Sequence, residues 1–346
     1  MQWQENLQNE AGLEALLAEP SEKLIVDMAQ IKGSIMVLGA GGKMGPSLCR
    51  LIRNADKAAG ISRDIFAVSR FSDPKAASML KETGVHVIPC DLLDPHGLAS
   101  LPDANHIIYM AGRKFGTGED APMTWAMNAA VPSFVSQRFA GANMVVFSSG
   151  NIYPPVRLAE GVGGCTEETP AGPLGEYAMS CLARERIFAY AAMAKGLKVL
   201  LFRLNYAVDL RYGVLFDIAE KVKNGRPVSL SVPYFNCIWQ GDANEAAVRS
   251  LLHTSSPARI LNVTGPETVS VRTAAERFGE FFGITPIFCD EPGETALLNN
   301  AGQAMKLFGY PRFSIDELIE MQAAWILNGG KGLGKPTHFE VRDGVY

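Results

Sequence analysis

The fold is decided by the stretch IMVLGAGGKMGPSLCRLI, residues 35–52, in which a short apolar run passes into a helical pattern. Four glycines separate the two: Gly39, Gly41, Gly42 and Gly45. Glycine is required where a chain turns sharply between strand and helix, and where backbone amides approach a pyrophosphate closely. The helix that follows directs free N–H groups and the positive end of its dipole at such a ligand. The stretch therefore predicts the strand, turn and helix of a dinucleotide site.

The alternation of strand and helix continues beyond this stretch. The predicted strands are 64–69, 85–89, 106–111, 144–149, 198–204 and 258–263, and helical patterns cover 74–83, 121–140, 175–195, 212–224, 242–253, 270–283 and 314–327. Short apolar strands that alternate with helices form a parallel sheet covered on both faces, with right-handed crossovers. We predict an α/β fold, a Rossmann-like doubly wound parallel sheet with a smaller C-terminal α/β substrate-binding cap.

The domain boundaries follow from changes in this rhythm. An N-terminal helical extension comes first, and Ser21 is placed to cap its second helix, which we expect to run to about Gln30. Glycine and proline become frequent after about residue 207, where the smaller region begins. The predicted parts are 1–32 (extension), 33–207 (dinucleotide-binding domain, to which 237–263 returns), and 208–236 with 264–346 (substrate-binding region and tail).

The composition excludes several classes of function. The 346 residues carry a net charge of −4 and 47% are hydrophobic, so no basic face for nucleic acid is implied. The acidic N-terminus does not resemble a signal peptide, and no apolar stretch is long enough to span a membrane, so we expect a cytoplasmic protein. The six scattered cysteines fit a reducing compartment and predict no metal site, and His338 with Glu340 does not make one.

Further contacts to a dinucleotide are expected at the ends of the next strands. The second strand ends at Arg70, where NAD-preferring sites usually carry an acidic residue for the ribose hydroxyls. A guanidinium suits a 2′-phosphate instead, so Arg70 favours NADP over NAD. The other expected contacts lie in the glycine turn, after the third strand and at the end of the fourth: Lys43, Met44, Asp91, Leu92, Met110, Ala111 and Gly112.

With these pieces placed, residues 33–330 resemble the extended short-chain dehydrogenase/reductase family, the NAD-dependent epimerase/dehydratase group. The GxxGxxG glycines, VVFSSGNIY and GPLGEYAMS carry the resemblance. It implies hydride transfer at a carbinol carbon, with Ser149 as the catalytic hydroxyl and Tyr177 as the acid/base. It also implies cofactor-contacting roles for Asn128, Tyr177 and Arg203. A homodimer that pairs through the helices of Tyr177 and Asn128 is expected by the same resemblance.

One position departs from the family pattern. The family places a lysine four residues after the tyrosine, and its charge stabilises the tyrosinate, but this chain has Cys181 there. A tyrosine ordinarily titrates near ~10, so it needs such help at neutral pH. Three interpretations stay open: a slower enzyme or one with a higher pH optimum, a replacement cation such as Arg113 or Lys114, or a fold that binds cofactor without turnover.

The substrate is expected to be small. Where relatives that act on nucleotide sugars have two diphosphate contacts, an asparagine and an arginine, this chain has Tyr206 and Phe235. We therefore predict a free sugar, sugar acid or polyol rather than a nucleotide sugar. Expected substrate contacts are Arg113, Lys114, Ser149, Asn151, Tyr206 and Trp239, although a lone aromatic such as Trp239 is more often a core residue.

Two classes of function remain from the sequence. The first is an NAD(P)-dependent oxidoreductase or epimerase, with Ser149, Tyr177, Cys181 and Lys114 at its catalytic site. The second is a cofactor-binding regulator that has lost turnover. Cys181 at the lysine position favours this class, and the presence of Ser149 and Tyr177 disfavours it.

Overall fold

The structure is a computed structural model, and it describes residues 7, 9–114, 116, 120–160, 163–334, 337, 339–341 and 344. Within this part of the chain, seven parallel strands form one sheet: β1 Ile35–Leu38, β2 Ile65–Ser69, β3 His86–Pro89, β4 His106–Tyr109, β5 Asn143–Ser149, β6 Lys198–Leu204 and β7 Arg259–Val263. Their order across the sheet is β7-β6-β5-β4-β1-β2-β3. The order reverses between β1 and β4, which is where such sheets bind ligands.

Helices cover the sheet and form the region beyond it. They are α1 Glu10–Leu17, α2 Glu22–Met28, α3 Gly45–Ala58, α4 Pro74–Glu82, α5 Pro95–Ala99, α6 Ala121–Trp125, α7 Val131–Arg138, α8 Gly175–Lys195, α9 Val214–Lys223, α10 Gln240–Arg249, α11 Val271–Phe282, α12 Gly302–Phe308 and α13 Ile315–Leu327. The remaining strands of the described residues are two residues long, such as Val156–Arg157 paired with Thr295–Ala296. The predicted Rossmann-like α/β architecture is confirmed.

Buried apolar side chains place helices on both faces of the sheet. On one face Val37 packs with residues of α2, α3, α10 and α12, such as Leu48. On the other face Met36 packs with residues of α5, α7 and α8, such as Phe188. This is why every residue of β1 is buried. A separate cluster joins α1, α9, α11 and α13 through residues such as Phe278.

The segment after residue 237 contributes to the main sheet. Strand β7 pairs in parallel with β6, with Leu261 opposite Phe202. The division of the chain into domains stays a prediction.

Most predicted elements lie within two or three residues of their bounds in the structure. Ser21 does cap α2, because its hydroxyl accepts a hydrogen bond from the Leu24 N–H at 3.1 Å. The helix ends at Met28, two residues before the predicted Gln30. The short helices α5 and α12 were not predicted.

The predicted helix 121–140 is broken in a way that matters for the site. A π-helical turn, Ala126–Ala130, separates α6 from α7. Pro132 has no N–H to donate to the carbonyl of Asn128, so the regular ladder fails at this point. Asn128 lies in the widened turn, with its side chain fully buried.

None of the described helices has the length and apolar character that a membrane crossing requires.

Candidate functional site

The glycine turn lies at the carboxyl end of β1. Gly39 has a φ of +94°, and a Cβ there would lie 2.6 Å from the Ala111 backbone nitrogen. A Cβ on Gly45 would lie 2.2 Å from the Ala40 carbonyl oxygen. These two glycines are therefore required by the turn itself and by its contact with the end of β4.

Gly42 differs from its neighbours in the turn. It is exposed, and a Cβ there would meet only the Gly39 carbonyl oxygen, at 3.3 Å, so the protein leaves open space above it. Helix α3 begins beside it, and Met44 at its N-cap makes no side-chain capping bond. Gly45 donates its N–H to the Gly42 carbonyl at 3.2 Å, Leu48 donates to the Met44 carbonyl at 3.0 Å and Pro46 has no N–H, so within the described residues Ser47 supplies the N–H of this first turn that is left for a ligand. This geometry fits a pyrophosphate.

The neighbouring strand ends carry the other expected cofactor contacts. Arg70 follows β2 and is exposed, and Asp91 follows β3 with its carboxylate accepting a bond from the Leu93 N–H at 3.0 Å. Leu92 lies in the core cluster under the sheet, so its side chain is a packing group. Met110 is half-buried at the end of β4.

Ser149, Tyr177 and Cys181 are brought together as the motif predicted. Ser149 is the last residue of β5, Tyr177 lies in the first turn of α8, and Cys181 follows one turn later. The Tyr177 hydroxyl makes hydrogen bonds with Ser149 and with the Cys181 thiol. The Ser149 hydroxyl is also 3.3 Å from Oδ1 of Asn151.

The surroundings of Tyr177 oppose its ionisation. Burial, followed by the Cys181 thiol, raises the pKa of the phenol well above its ordinary value. The Arg184 guanidinium and the hydrogen bond from Ser149 act in the opposite direction. Tyr177 is therefore neutral at physiological pH unless positive charge is added near it.

Two lysines lie in the same cleft. The ammonium of Lys114 is 5.9 Å from the centre of the Tyr177 ring, and burial lowers its pKa to about 8. The ammonium of Lys43 is 3.9 Å from the centre of the Tyr212 ring. Burial lowers the pKa of Lys43 to about 8, and the positive charge of Lys114 contributes to that shift. A cleft that holds two such cations suits an anionic ligand.

Asn128 serves as a bridge inside the protein. Its Nδ2 donates to the Arg113 carbonyl and to the Ser180 hydroxyl, each at 2.9 Å. Its Oδ1 accepts from the Arg113 N–H at 2.9 Å and from Arg184 at 2.7 Å. These bonds hold the segment after β4, which carries Lys114, against α8. The Arg113 guanidinium itself pairs with Asp120 at 2.8 Å.

Arg203 was predicted to contact the cofactor, but its side chain is bound inside the protein. Its guanidinium is buried, pairs with both carboxylate oxygens of Glu185 at 2.9 and 2.7 Å, and donates to the Tyr153 hydroxyl at 2.6 Å. Arg203 therefore joins β6 to α8.

A cavity that is partly open to solvent, with Tyr153 in its wall, lies beside this group. Its wall contains Asn151, Tyr153, Pro155, Leu174, Tyr206, Val232, Thr295, Ala296, Leu297, Phe339, Val341 and Gly344. Asn151 and Tyr206 belong to this wall, and their contact with a substrate stays a prediction. Trp239 does not belong to this wall: it is 1% exposed and packs edge-on against Phe313 in the core of the smaller region. A fully buried indole has no face to offer a sugar, so that expectation is corrected.

A family model described as the NAD dependent epimerase/dehydratase family matches residues 35–261, more than half of the chain. The chain belongs to this family. The resemblance drawn from the glycine turn, the serine strand and the tyrosine helix is thereby confirmed.

Solved structures of similar fold are epimerases and related proteins. MoeE5 in complex with UDP-glucose and NAD shares 20% identity at a TM-score of 0.68, covering 86% of this chain and 99% of that one. UDP-glucose 4-epimerase of Thermus thermophilus, in complex with NAD, shares 20% at 0.66, covering 84% and 97%. UDP-glucuronic acid 4-epimerase from Bacillus cereus, in complex with NAD, shares 17% at 0.70, covering 86% and 100%. Curated protein sequences give no match.

This member of the epimerase/dehydratase family carries a site residue that the sequence analysis missed. Arg184 lies two turns after Tyr177 on the same face of α8, and its guanidinium lies inside the site. The seven-residue spacing in the sequence was the available signal. Among the described residues, no group of three or more His, Cys, Asp or Glu side chains is placed to hold a metal. His338 lies outside the described residues.

Proposed function

We propose that the protein is an NAD(P)-dependent epimerase or dehydrogenase that acts at a hydroxyl-bearing carbon of a small sugar, sugar acid or polyol. The observation that carries this proposal is the hydrogen bond between the Ser149 and Tyr177 hydroxyls, beside the cavity that Asn151 and Leu174 line. Membership of the epimerase/dehydratase family supports it.

In this proposal Tyr177 exchanges a proton with the substrate hydroxyl, and Ser149 orients the same oxygen. A bound nicotinamide dinucleotide would accept the hydride from the carbon that bears this hydroxyl. In an epimerase it would return the hydride to the same carbon. The glycine turn, with the open space above Gly42 and the uncapped N-terminus of α3, would hold the pyrophosphate. Met110 and Ala111 would line the cleft at the end of β4.

Lys114 is a titratable cation beside Tyr177 in this proposal. It lies against the Tyr177 ring, and the Asn128 bridge fixes the backbone next to it. Because burial lowers its pKa to about 8, it is charged at neutral pH and loses its charge in mildly alkaline solution. Its charge would stabilise a tyrosinate or a substrate carboxylate.

NADP is the cofactor that Arg70 favours. Arg70 is exposed at the end of β2, where it would face the adenosine ribose, and its guanidinium would bind a 2′-phosphate. The three solved structures above contain NAD, so the choice between the two dinucleotides rests on this one side chain.

The cavity supports a substrate without a diphosphate. No Lys, Arg or His belongs to the described residues of its wall, in which Asn151, Tyr206 and Thr295 supply polar groups. A diphosphate there would lack charge-assisted hydrogen bonds worth about 1.5–3 kcal/mol each. MoeE5 binds UDP-glucose, and the other two solved structures are 4-epimerases of UDP-sugars, so this chain would differ from them in substrate.

A homodimer through α7 and α8 belongs to the same proposal. Part of the apolar surface of α8 belongs to the core, because Phe188 and Ala191 are buried. On the outer face of α8, however, Tyr190 is 68% exposed and Met193 is 76% exposed. Apolar side chains so exposed support a partner surface. The scattered free cysteines support a reducing, cytoplasmic location.

The test begins with calorimetric titration of the protein with NAD and NADP. A panel of UDP-glucose, D-glucose, D-glucuronate and xylitol is then screened for the absorbance of reduced nicotinamide, which reports a dehydrogenase, and for conversion of the substrate into its epimer, which reports an epimerase. Tyr177→Phe and Ser149→Ala should abolish turnover and retain dinucleotide affinity. Absence of dinucleotide affinity would contradict the whole proposal, and UDP-glucose as the preferred substrate would contradict the substrate class.

A second candidate function is a dinucleotide-binding regulator without turnover. Cys181 favours it, because the buried thiol raises the pKa of Tyr177 where a lysine would lower it. Such a protein would bind NAD or NADP and give neither reduced nicotinamide nor an epimer with any member of the panel.

A further inference from the structure

Arg184 is a buried cation without a carboxylate partner. Its side chain is 5% exposed, and no Asp or Glu among the described residues lies within salt-bridge distance of its guanidinium. The adjacent carboxylate, Glu185, pairs with Arg203 instead. A buried charge is costly unless a charged group compensates it, so an uncompensated guanidinium calls for an anion that forms nearby.

The contacts of Arg184 converge on the elements that hold the reacting groups. Its guanidinium donates to the Phe147 carbonyl of β5, two residues before Ser149, at 2.8 Å. It donates to Oδ1 of Asn128 at 2.7 Å. A Cβ built on Gly112, at the end of β4, would lie 2.5 Å from the same guanidinium. Arg184 therefore lies directly beneath the backbone that lines the cleft.

Helix geometry directs this side chain towards Tyr177. The two residues are seven apart, which is about two turns and 10 Å along one face of α8. Helical side chains lean towards the N-terminus, which for Arg184 is the side of the helix turn that carries Cys181 and, one turn further, Tyr177. The positive charge lowers the pKa of both the phenol and the thiol.

We propose that Arg184 is the fixed positive charge that stabilises the tyrosinate of Tyr177 in this chain, in the role left open by Cys181. It acts as a positioning residue as well, because the Asn128 bond ties α8 to the segment that carries Lys114. The two cations differ in kind: Lys114 loses its proton in mildly alkaline solution, whereas a guanidinium stays charged. This inference rests on the proposed role of Tyr177 as the acid/base.

The test measures ionisation at position 177 directly. 2,3,5-Trifluorotyrosine replaces Tyr177 in the full chain, and its titration is followed by ¹⁹F resonance, since this ring is the only fluorinated group. Fluorine substitution lowers the intrinsic pKa of the phenol and brings the titration into an accessible range. Arg184→Met should raise the midpoint by about one pH unit or more. Arg184→Lys, which keeps the charge, should restore most of the difference.

The controls separate charge from structure. Arg186→Met removes an exposed cation from the same helix and should leave the midpoint unchanged. Arg184→Gln keeps a hydrogen-bond donor without the charge and supplies the same comparison if the methionine variant does not fold. Equal midpoints in folded Arg184→Gln, Arg184→Lys and parent protein would overturn the inference. The titration needs no substrate, so it can fail or succeed separately from Tyr177→Phe, which tests the proposed function.

Discussion

The ammonium of Lys114 lies 5.9 Å from the centre of the Tyr177 ring, in a cleft where burial lowers its pKa to about 8. Lys43 lies in the same cleft with its pKa lowered to about 8. A lysine is charged below its pKa, so both cations are present at neutral pH and both are lost as the pH rises through 8. The cleft therefore carries a pH-dependent attraction for anions.

Affinity for NAD should consequently fall as the pH rises through 8. Loss of charge-assisted bonds of about 1.5–3 kcal/mol corresponds to a decrease of roughly ten- to a hundredfold. Calorimetric Kd values for NAD, whose diphosphate does not titrate in this range, provide the measurement. The double variant Lys43→Met, Lys114→Met should bind weakly at every pH and show no such step. An affinity that strengthens above pH 8 would contradict the assignment.

Cys181→Lys should reduce activity rather than restore it. Cys181 is fully buried between Tyr177 and Arg184, so a lysine there would place two cations side by side in the interior. We expect a loss of stability on the order of 3 kcal/mol and at least a tenfold lower rate. Cys181→Ala, which adds no charge, should stay within a few fold of the parent.

The opposite result for Cys181→Lys has a clear meaning. A large gain in rate, measured as reduced nicotinamide per unit time with the best substrate of the panel, would identify Cys181 as the defect of a decayed site. That outcome would favour the regulator over the enzyme.

Gly45→Ala should lower the stability of the protein, whereas Gly42→Ala should lower its affinity for NAD. A Cβ at position 45 would lie 2.2 Å from the Ala40 carbonyl, so the turn must shift, at a cost of about 1–3 kcal/mol of unfolding free energy. A Cβ at position 42 meets a single atom, the Gly39 carbonyl oxygen at 3.3 Å, so a small shift relieves the contact and stability should change by less than about 1 kcal/mol. The same methyl would occupy the space of a pyrophosphate, so NAD affinity should fall at least tenfold.

Denaturant unfolding and calorimetry on both variants check this pair. Full NAD affinity in Gly42→Ala would show that the open space above the turn is not where the dinucleotide binds.

The main elements could be predicted because their signals are local. Strand β6 and helix α8 have their predicted bounds, since each is a continuous run bounded by glycine or charge. The meeting of Ser149 with Tyr177 was predictable as well, because both belong to motifs with fixed positions in the fold. The GxxGxxG turn likewise specifies its own geometry through the contacts of Gly39 and Gly45.

The rest depended on contacts between distant parts of the chain. Nothing local distinguishes Trp239, a core aromatic, from Tyr206, which lines the cavity. The bidentate pair of Arg203 with Glu185 removes from the cofactor cleft a residue that its strand position suggested. Phe339 in the tail was not predicted to line the cavity, because the tail has no periodicity and reaches the wall only through tertiary packing.

Arg70→Asp should reverse the preference between dinucleotides. The guanidinium after β2 would contribute about 1.5–3 kcal/mol to a 2′-phosphate, so its loss should weaken NADP binding by roughly ten- to a hundredfold. The carboxylate introduced in its place can accept bonds from the ribose hydroxyls of NAD, and it repels a 2′-phosphate. Lys75→Asp, an equal change of charge at an exposed position on the adjacent α4, is the matched control and should alter neither affinity. Kd values of the parent protein and the two variants for NAD and NADP provide the measurement. A parent protein that binds NAD more tightly than NADP would contradict the assignment of Arg70 to a 2′-phosphate.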